Sequence, residues 1–102
     1  MSNEKLFVIV RRDLTPSQQA VQAGHALANY LYAFSYLWNY ETLIYLGIKN
    51  EEELEKWKYK LMLKSIPYAC FVEPDMNDEV TAIATALNSQ YDESFFKNLQ
   101  VL

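Results

Sequence analysis

The stretch LFVIVRRDLTPSQ, residues 6–18, decides the fold of this chain. Its first five residues are a continuous apolar run rich in β-branched side chains, which is typical of a strand buried on both faces. Thr15 to Gln18 then predict the start of a helix, with Thr15 as N-cap, Pro16 in the first turn and Gln18 completing a capping box. A buried strand that leads directly into a helix indicates an α/β protein.

The rest of the chain continues this alternation of strands and helices. After a first helix from residue 16 to about residue 37, we expect a strand at 42–48, a helix capped by Asn50, strands at 67–73 and 80–86, a short helix at 92–98 and a short final strand at 99–102. Helical crossovers join parallel strands, whereas the short segment 74–79 joins an antiparallel pair. The sequence therefore predicts one domain, residues 1–102, with a three-layer α/β/α fold around a four-stranded mixed sheet that has one antiparallel strand.

Composition limits the classes of protein to which the chain can belong. It has 102 residues, is 51% hydrophobic and contains only 2 Gly and 3 Pro, which argues against disorder. The single cysteine, Cys70, excludes an internal disulfide. No run reaches the roughly 18 apolar residues of a membrane span, and the first residues do not resemble a leader, so we expect a cytoplasmic protein without membrane contact.

Two groups of cations are candidate nucleic-acid contacts. Arg11 and Arg12 follow the first strand, and Lys56 and Lys60 belong to the predicted second helix. With a net charge of -4, the chain needs such a local basic patch if it is to bind phosphate backbones. The lysines are also consistent with the solvated face of an amphipathic helix.

Four candidate catalytic residues lie near the first helix and the predicted strand ends. Gln22 and His25 are three residues apart and share a face of the helix, Asp13 follows the first strand, and Glu73 ends the third. In open α/β sheets, ligands tend to bind at this edge. His25 is either a general base or hydrogen-bond donor, or a packed helix residue. Asp13 is either part of a ligand site or a turn-forming acid, and Glu73 is either a carboxylate for acid-base chemistry or a solvated loop acid.

Cofactor and metal motifs are missing from the sequence. The chain has no Walker loop, dinucleotide-binding fingerprint or nucleophile elbow. Its one His and one Cys lie far apart, without the spacing of metal ligands. We therefore expect neither a cofactor nor a metal.

Three segments resemble the peptidyl-tRNA hydrolase 2 family, and they occur in the family's order. KLFVIVRRDLTPSQQAVQAGHALA, residues 5–28, is similar to the family's opening strand, R-x-D-L turn and A-x-Q-x-x-H-A helix. IKNEEELEKWKYKLMLKSIPYACFVEP, residues 48–74, is similar to its next helix and strand, and EVTAIATAL, residues 79–87, to its T-x-x-A strand. The match covers nearly the whole chain and is nearest to the divergent subgroup of peptidyl-tRNA hydrolase domain-containing proteins.

The resemblance implies an activity, a site and an assembly. The activity is metal-free hydrolysis of the ester that joins a peptide to tRNA, and the assembly is often a homodimer. Such chemistry needs a base that activates water and a donor for the developing oxyanion. The residues that match the family's catalytic pocket are Asp13, Gln22, His25, Glu73 and Thr81.

The chain also departs from the family's pattern. Gln18 stands where the family carries a lysine, Glu73 replaces an aspartate, and the family's threonine-bearing loop is replaced by PDMNDE, residues 74–79. These departures, the acidic balance and a dense aromatic stretch from Tyr30 to Tyr40 favour a second hypothesis. In that hypothesis, the chain is a non-catalytic protein-binding or dimerising module that kept the fold. The sequence leaves both hypotheses open.

Overall fold

The computed structural model describes residues 5–34, 42–87 and 93–102. Short 3-10 helices within these residues cover Pro74–Met76 and Glu93–Phe96. The alternation of strands and helices confirms the α/β class. The described residues do not include 35–37, the end of the expected first helix, or residue 92, the first residue of the expected short helix. The main elements in chain order are β1 (Lys5–Arg11), α1 (Pro16–Phe34), β2 (Thr42–Ile48), α2 (Glu51–Leu63), β3 (Tyr68–Glu73), β4 (Glu79–Leu87) and β5 (Gln100–Val101).

One mixed sheet carries the strands in the order β3-β4-β1-β2-β5. β1 and β2 pair in parallel, as expected for strands that a helix joins, whereas β4 pairs antiparallel with both β1 and β3. Among β1 to β4 the mixed arrangement is as expected, with β4 as the antiparallel strand. The expected number of four strands is wrong, because β5 also joins the sheet and pairs antiparallel with β2. The Leu102 amide donates to the Tyr45 carbonyl over 2.9 Å and holds the last residues against β2.

The two helices cover opposite faces of the sheet. Successive side chains of a strand point to opposite sides. In β1, Leu6, Val8 and Val10 pack with α1, whereas Phe7 and Ile9 pack with α2. Each of these five residues is at most 4% exposed, which explains the unbroken apolar run that opens the sequence. The three-layer arrangement places one helix on each side of the site-bearing strands.

The facing surfaces of the helices differ in size. Ala23 and Ala26 let α1 approach the sheet closely, whereas Leu54, Trp57 and Leu61 fill the space under α2. Burial of each large apolar side chain of this kind contributes about 1.5–3 kcal/mol relative to its exposure. In the described ranges, no helix combines the length and the apolar character that crossing a bilayer requires.

Both predicted helix starts are confirmed. The Thr15 amide donates to Oε1 of Gln18 over 2.9 Å, and the Gln18 amide donates to Oγ1 of Thr15 over 3.2 Å, which completes the capping box. Asn50 caps α2 by accepting a hydrogen bond from the Glu53 amide over 3.0 Å. These caps bind amide groups that the first turn of a helix leaves without partners.

Candidate functional site

A β-bulge in β4 directs Thr81 toward α1. Phe71 of β3 pairs with Ala82, but the next residue, Val72, pairs with Val80, so Thr81 is the extra residue on β4. The bulge interrupts the alternation of the strand, since Ala82 packs in the α1 core and Val80 in the α2 core although they are two residues apart. The extra residue therefore brings its hydroxyl to the α1 side of the sheet.

Thr81 begins a run of hydrogen bonds that we call the Gln22 relay, formed by Thr81, Gln22 and Glu73. The Thr81 hydroxyl donates to Oε1 of Gln22 over 2.8 Å, and Nε2 of Gln22 donates to Oε2 of Glu73 over 2.9 Å. Thr81 is fully buried and Gln22 is 5% exposed. Because a buried amide is costly unless its polar atoms are bonded, the relay fixes the orientation of Gln22 and, through it, of the Glu73 carboxylate.

Glu73 is held as an ionised carboxylate at the carboxyl end of β3. The hydrogen bond from Gln22 and a second one, from the Asp75 amide to Oε1 over 3.2 Å, lower the pKa of Glu73 from its ordinary value. Partial desolvation opposes this shift in pKa, and the charge of His25 adds to it. Glu73 therefore supplies a fixed negative charge more readily than it takes up a proton.

His25 lies on the exposed side of α1, and its charge contributes to the lowered pKa of Glu73. Its imidazole stacks on the Phe71 ring, with the ring centroids 4.1 Å apart and the planes 8° from parallel. The Phe71 carbonyl oxygen lies 3.3 Å from the Thr81 hydroxyl, whose single proton points to the closer Gln22 oxygen, so the same residue of β3 contacts both His25 and Thr81. An accessible imidazole near a carboxylate is a combination that general acid-base catalysis uses.

Asp13 belongs to a second cluster, which is centred on Arg11. The Arg11 guanidinium donates to both carboxylate oxygens of Asp13, over 2.9 and 2.8 Å, and to Glu79 over 2.7 Å and the Val80 carbonyl over 3.2 Å. The hydrogen bonds from Arg11 lower the pKa of Asp13, and those to Asp13 and Glu79 raise the pKa of Arg11. In the part of the chain that the structure describes, no hydrogen bond or ion pair joins Asp13 to the Gln22 relay.

The structure thus brings together four of the five residues that the resemblance assigns to a pocket. His25 and the Gln22 relay meet between α1, β3 and β4, whereas Asp13 is bound to Arg11. The catalytic roles of these residues stay predictions.

The predicted nucleic-acid contacts are dispersed. Arg11 is 5% exposed and directs its guanidinium inward to two carboxylates. Lys56 is exposed and bonds to Glu53 on its own helix over 3.2 Å. Arg12 and Lys60 line a groove beside α2. Their binding to nucleic acid stays a prediction.

Two residues of these clusters were not found from the sequence. These residues are Phe71, which stacks on His25, and Glu79, which binds Arg11. Glu79 reaches Arg11 only because β4 returns antiparallel along β1. No local pattern signals either contact, since one depends on the packing of α1 against β3 and the other on the register of β1 and β4.

Comparison with known proteins defines the fold and leaves the activity open. No family model matches the chain, and no curated protein matches it significantly. A solved structure, of the protein of unknown function Atu0240 from Agrobacterium tumefaciens strain C58, is similar with a TM-score of 0.77 and 13% identity, over 100% of this chain and 99% of that chain. At this identity, the likeness shows a shared fold alone.

Within residues 5–34, 42–87 and 93–102, no group of three His, Cys, Asp or Glu side chains is arranged to hold a metal.

Proposed function

We propose that this chain is a peptidyl-tRNA hydrolase 2-like protein that cleaves the ester bond of peptidyl-tRNA at His25 and the Gln22 relay. The observation that carries the proposal is that an exposed imidazole, stacked on Phe71, lies near enough to Glu73 for its charge to lower the pKa of that carboxylate, which the buried Gln22 amide holds in place. Ester hydrolysis needs a group that accepts and returns a proton and a charge that stabilises it. Both are present in this cluster.

In the proposed reaction, His25 acts first as a base and then as an acid. Water attacks the carbonyl carbon of the ester while its proton passes to the imidazole, and the Glu73 carboxylate stabilises the imidazolium. The tetrahedral intermediate then breaks its bond to the ribose oxygen, which takes the proton back from His25. The products are a tRNA with a free ribose hydroxyl and a peptide carboxylic acid, which ionises and releases its proton to water.

A peptidyl-tRNA release assay on the purified protein tests this function. We expect His25→Ala to lower the rate by about 10²–10⁴-fold and Glu73→Gln to lower it by roughly tenfold or more. Asn29→Ala is the matched control, because Asn29 lies one turn further along α1 and donates to the Cys70 carbonyl over 3.3 Å. It should keep the rate within about twofold. An unchanged rate in His25→Ala would overturn the assignment of the base.

A second candidate is a non-catalytic protein-binding or dimerising module, and the environment of Gln18 favours it. The side-chain oxygen and the backbone amide of Gln18 both hold the start of α1, so a structural role accounts for this residue where the family has a lysine. Residues 35–40 of the aromatic stretch lie outside the described residues.

Two measurements distinguish the candidates. A stable dimer in sedimentation equilibrium, together with no peptidyl-tRNA release by the wild type or by Gln18→Lys, supports the module and contradicts the hydrolase. Release that depends on His25 contradicts a purely structural module.

A further inference from the structure

A groove with a volume of about 440 Å³ lies on the α2 side of the sheet. The carboxyl end of β2, the side of α2 around Trp57 and the segment that enters β5 form its walls. This volume falls within the range of about 300–1,000 Å³ that is common for small-molecule sites. His25 and the Gln22 relay do not line it.

The groove concentrates positive charge in an acidic protein. Arg12, Lys49 and Lys60 line it, with Glu53 as the acid among its lining residues, while the whole chain has a net charge of -4. Glu53 is bonded to Lys56 over 3.2 Å. Across the described ranges, none of the three lining cations forms an ion pair with a carboxylate. Their charge is therefore available to a ligand.

The backbone around Arg12 fixes its guanidinium at the groove without neutralising it. Nη2 donates to the Val101 carbonyl over 2.8 Å and to the Gln100 carbonyl over 3.4 Å. The guanidinium crosses Gly47, where an added Cβ would overlap Nε and Cζ of Arg12. Glycine at position 47 thus makes room for this placement. Among the described residues, Nε and Nη1 have no hydrogen-bond acceptor, and these donors suit an oxyanion.

We propose that this groove binds a small phosphate-bearing ligand through Arg12, Lys49 and Lys60. A phosphate monoester offers close to two negative charges and three acceptor oxygens, which matches a guanidinium fork flanked by two ammonium groups. Recognition is of the phosphate, because Trp57 is 9% exposed and Lys60 lies 4.3 Å above its ring, which leaves no free aromatic face for a base. The proposal does not depend on the hydrolase function.

Calorimetric titration of the purified protein with four probes tests the ligand class. At a salt concentration of about 50 mM, we expect pyrophosphate, ribose 5-phosphate and AMP to bind. The affinities for AMP and ribose 5-phosphate should lie within about threefold of each other, because the base makes no contact. All three affinities should fall as added salt screens the charges. Citrate tests a carboxylate ligand. Tighter binding of citrate than of pyrophosphate overturns the phosphate assignment, and no binding of any probe at millimolar concentration overturns the site.

Three variants test the location of the site. The double variant Lys49→Gln/Lys60→Gln should weaken pyrophosphate binding by about tenfold. Gly47→Ala keeps every charge but displaces Arg12, and it should weaken pyrophosphate binding by roughly threefold or more. Lys58→Gln removes one positive charge from α2 outside the groove and should stay within about twofold. An equal loss in Lys58→Gln would overturn the site in favour of general charge attraction. Because the Lys49 and Lys60 changes are on the surface, unchanged melting temperatures separate lost binding from lost folding.

Discussion

Both carboxylate oxygens of Asp13 accept hydrogen bonds from the guanidinium of Arg11, at 2.9 and 2.8 Å. The same guanidinium reaches Glu79 over 2.7 Å, so one buried cation joins the carboxyl end of β1 to the first residue of β4. A charge that is almost fully buried is tolerated only when it is paired and fully hydrogen-bonded. The Arg11 cluster therefore has a structural role, because it joins β1 to β4.

Loss of the Arg11 cluster should destabilise the protein. We expect Arg11→Met to lower the free energy of unfolding by about 1–3 kcal/mol, because two carboxylates and the Val80 carbonyl lose their donor. Urea denaturation measures the change. Arg12→Met removes the neighbouring, exposed guanidinium and should cost less than about 1 kcal/mol. Equal losses in the two variants would contradict the structural role of Arg11.

Stability should depend on pH through Asp13. Hydrogen bonds from Arg11 lower the folded-state pKa of Asp13 below its unfolded value. A group with a lowered folded-state pKa stabilises the protein above its unfolded pKa, and this contribution is lost as the pH falls through the folded-state pKa.

The wild type should therefore become less stable as the pH falls below about 4, near the ordinary pKa of an aspartate. In Arg11→Met this decline should be shallower, because Asp13 then has no partner that depresses its pKa. Urea midpoints measured across this acidic range decide the matter. Parallel curves for the two proteins would show that other groups cause the decline.

The bond between Thr81 and Gln22 should appear as a coupling energy. We expect Thr81→Val to cost about 1–2 kcal/mol, because Oε1 of Gln22 loses its donor in a buried place. In a double-mutant cycle with Gln22→Leu, the two changes should be non-additive by about 0.5–1.5 kcal/mol.

Thr85→Val provides the matched control for this cycle. Thr85 is equally buried on the same strand, but it donates to the Pro67 carbonyl over 2.7 Å. Its loss should therefore add to that of Gln22→Leu within about 0.5 kcal/mol. Additivity in the Thr81 cycle as well would mean that the Gln22 relay does not act as a unit.

A lysine at position 18 should weaken the start of α1. We expect Gln18→Lys to lower the free energy of unfolding by about 0.5–1 kcal/mol, because it removes the acceptor of the Thr15 amide and places a cation near the positive end of the helix. Ala20→Lys adds the same charge at an exposed position that takes no part in the cap, so it isolates the contribution of the cap. Equal melting temperatures for wild type and Gln18→Lys would contradict the role of the capping box.

Local signals account for the parts of the fold that the sequence predicts. The apolar run of β1 is visible because both of its faces are buried, and the capping box is visible because its bonds join residues only three positions apart. β5 is harder to predict as part of the sheet, because Gln100 and Val101 are both exposed and follow no apolar pattern. Its pairing depends on contacts with β2 and with Arg12.

The sequence indicates which residues are candidates for the site, but it does not indicate how they are arranged. Alternation normally reveals which face of a strand a side chain occupies, but residues 80–84 of β4 are all buried, so the sequence carries no sign of the bulge at Thr81. The stacking of His25 on Phe71 depends on how α1 packs against β3, and the bond from Arg11 to Glu79 depends on the pairing of β1 with β4.

The capping box has a consequence for how this protein can change over generations. Position 18 can supply the oxygen that holds the first turn of α1 or a cation that extends into solvent, but one side chain cannot do both. Selection for a stable helix start therefore favours glutamine at position 18, and it opposes any selection for lysine at the same position. A lineage that gains a cation here has to recover helix stability elsewhere.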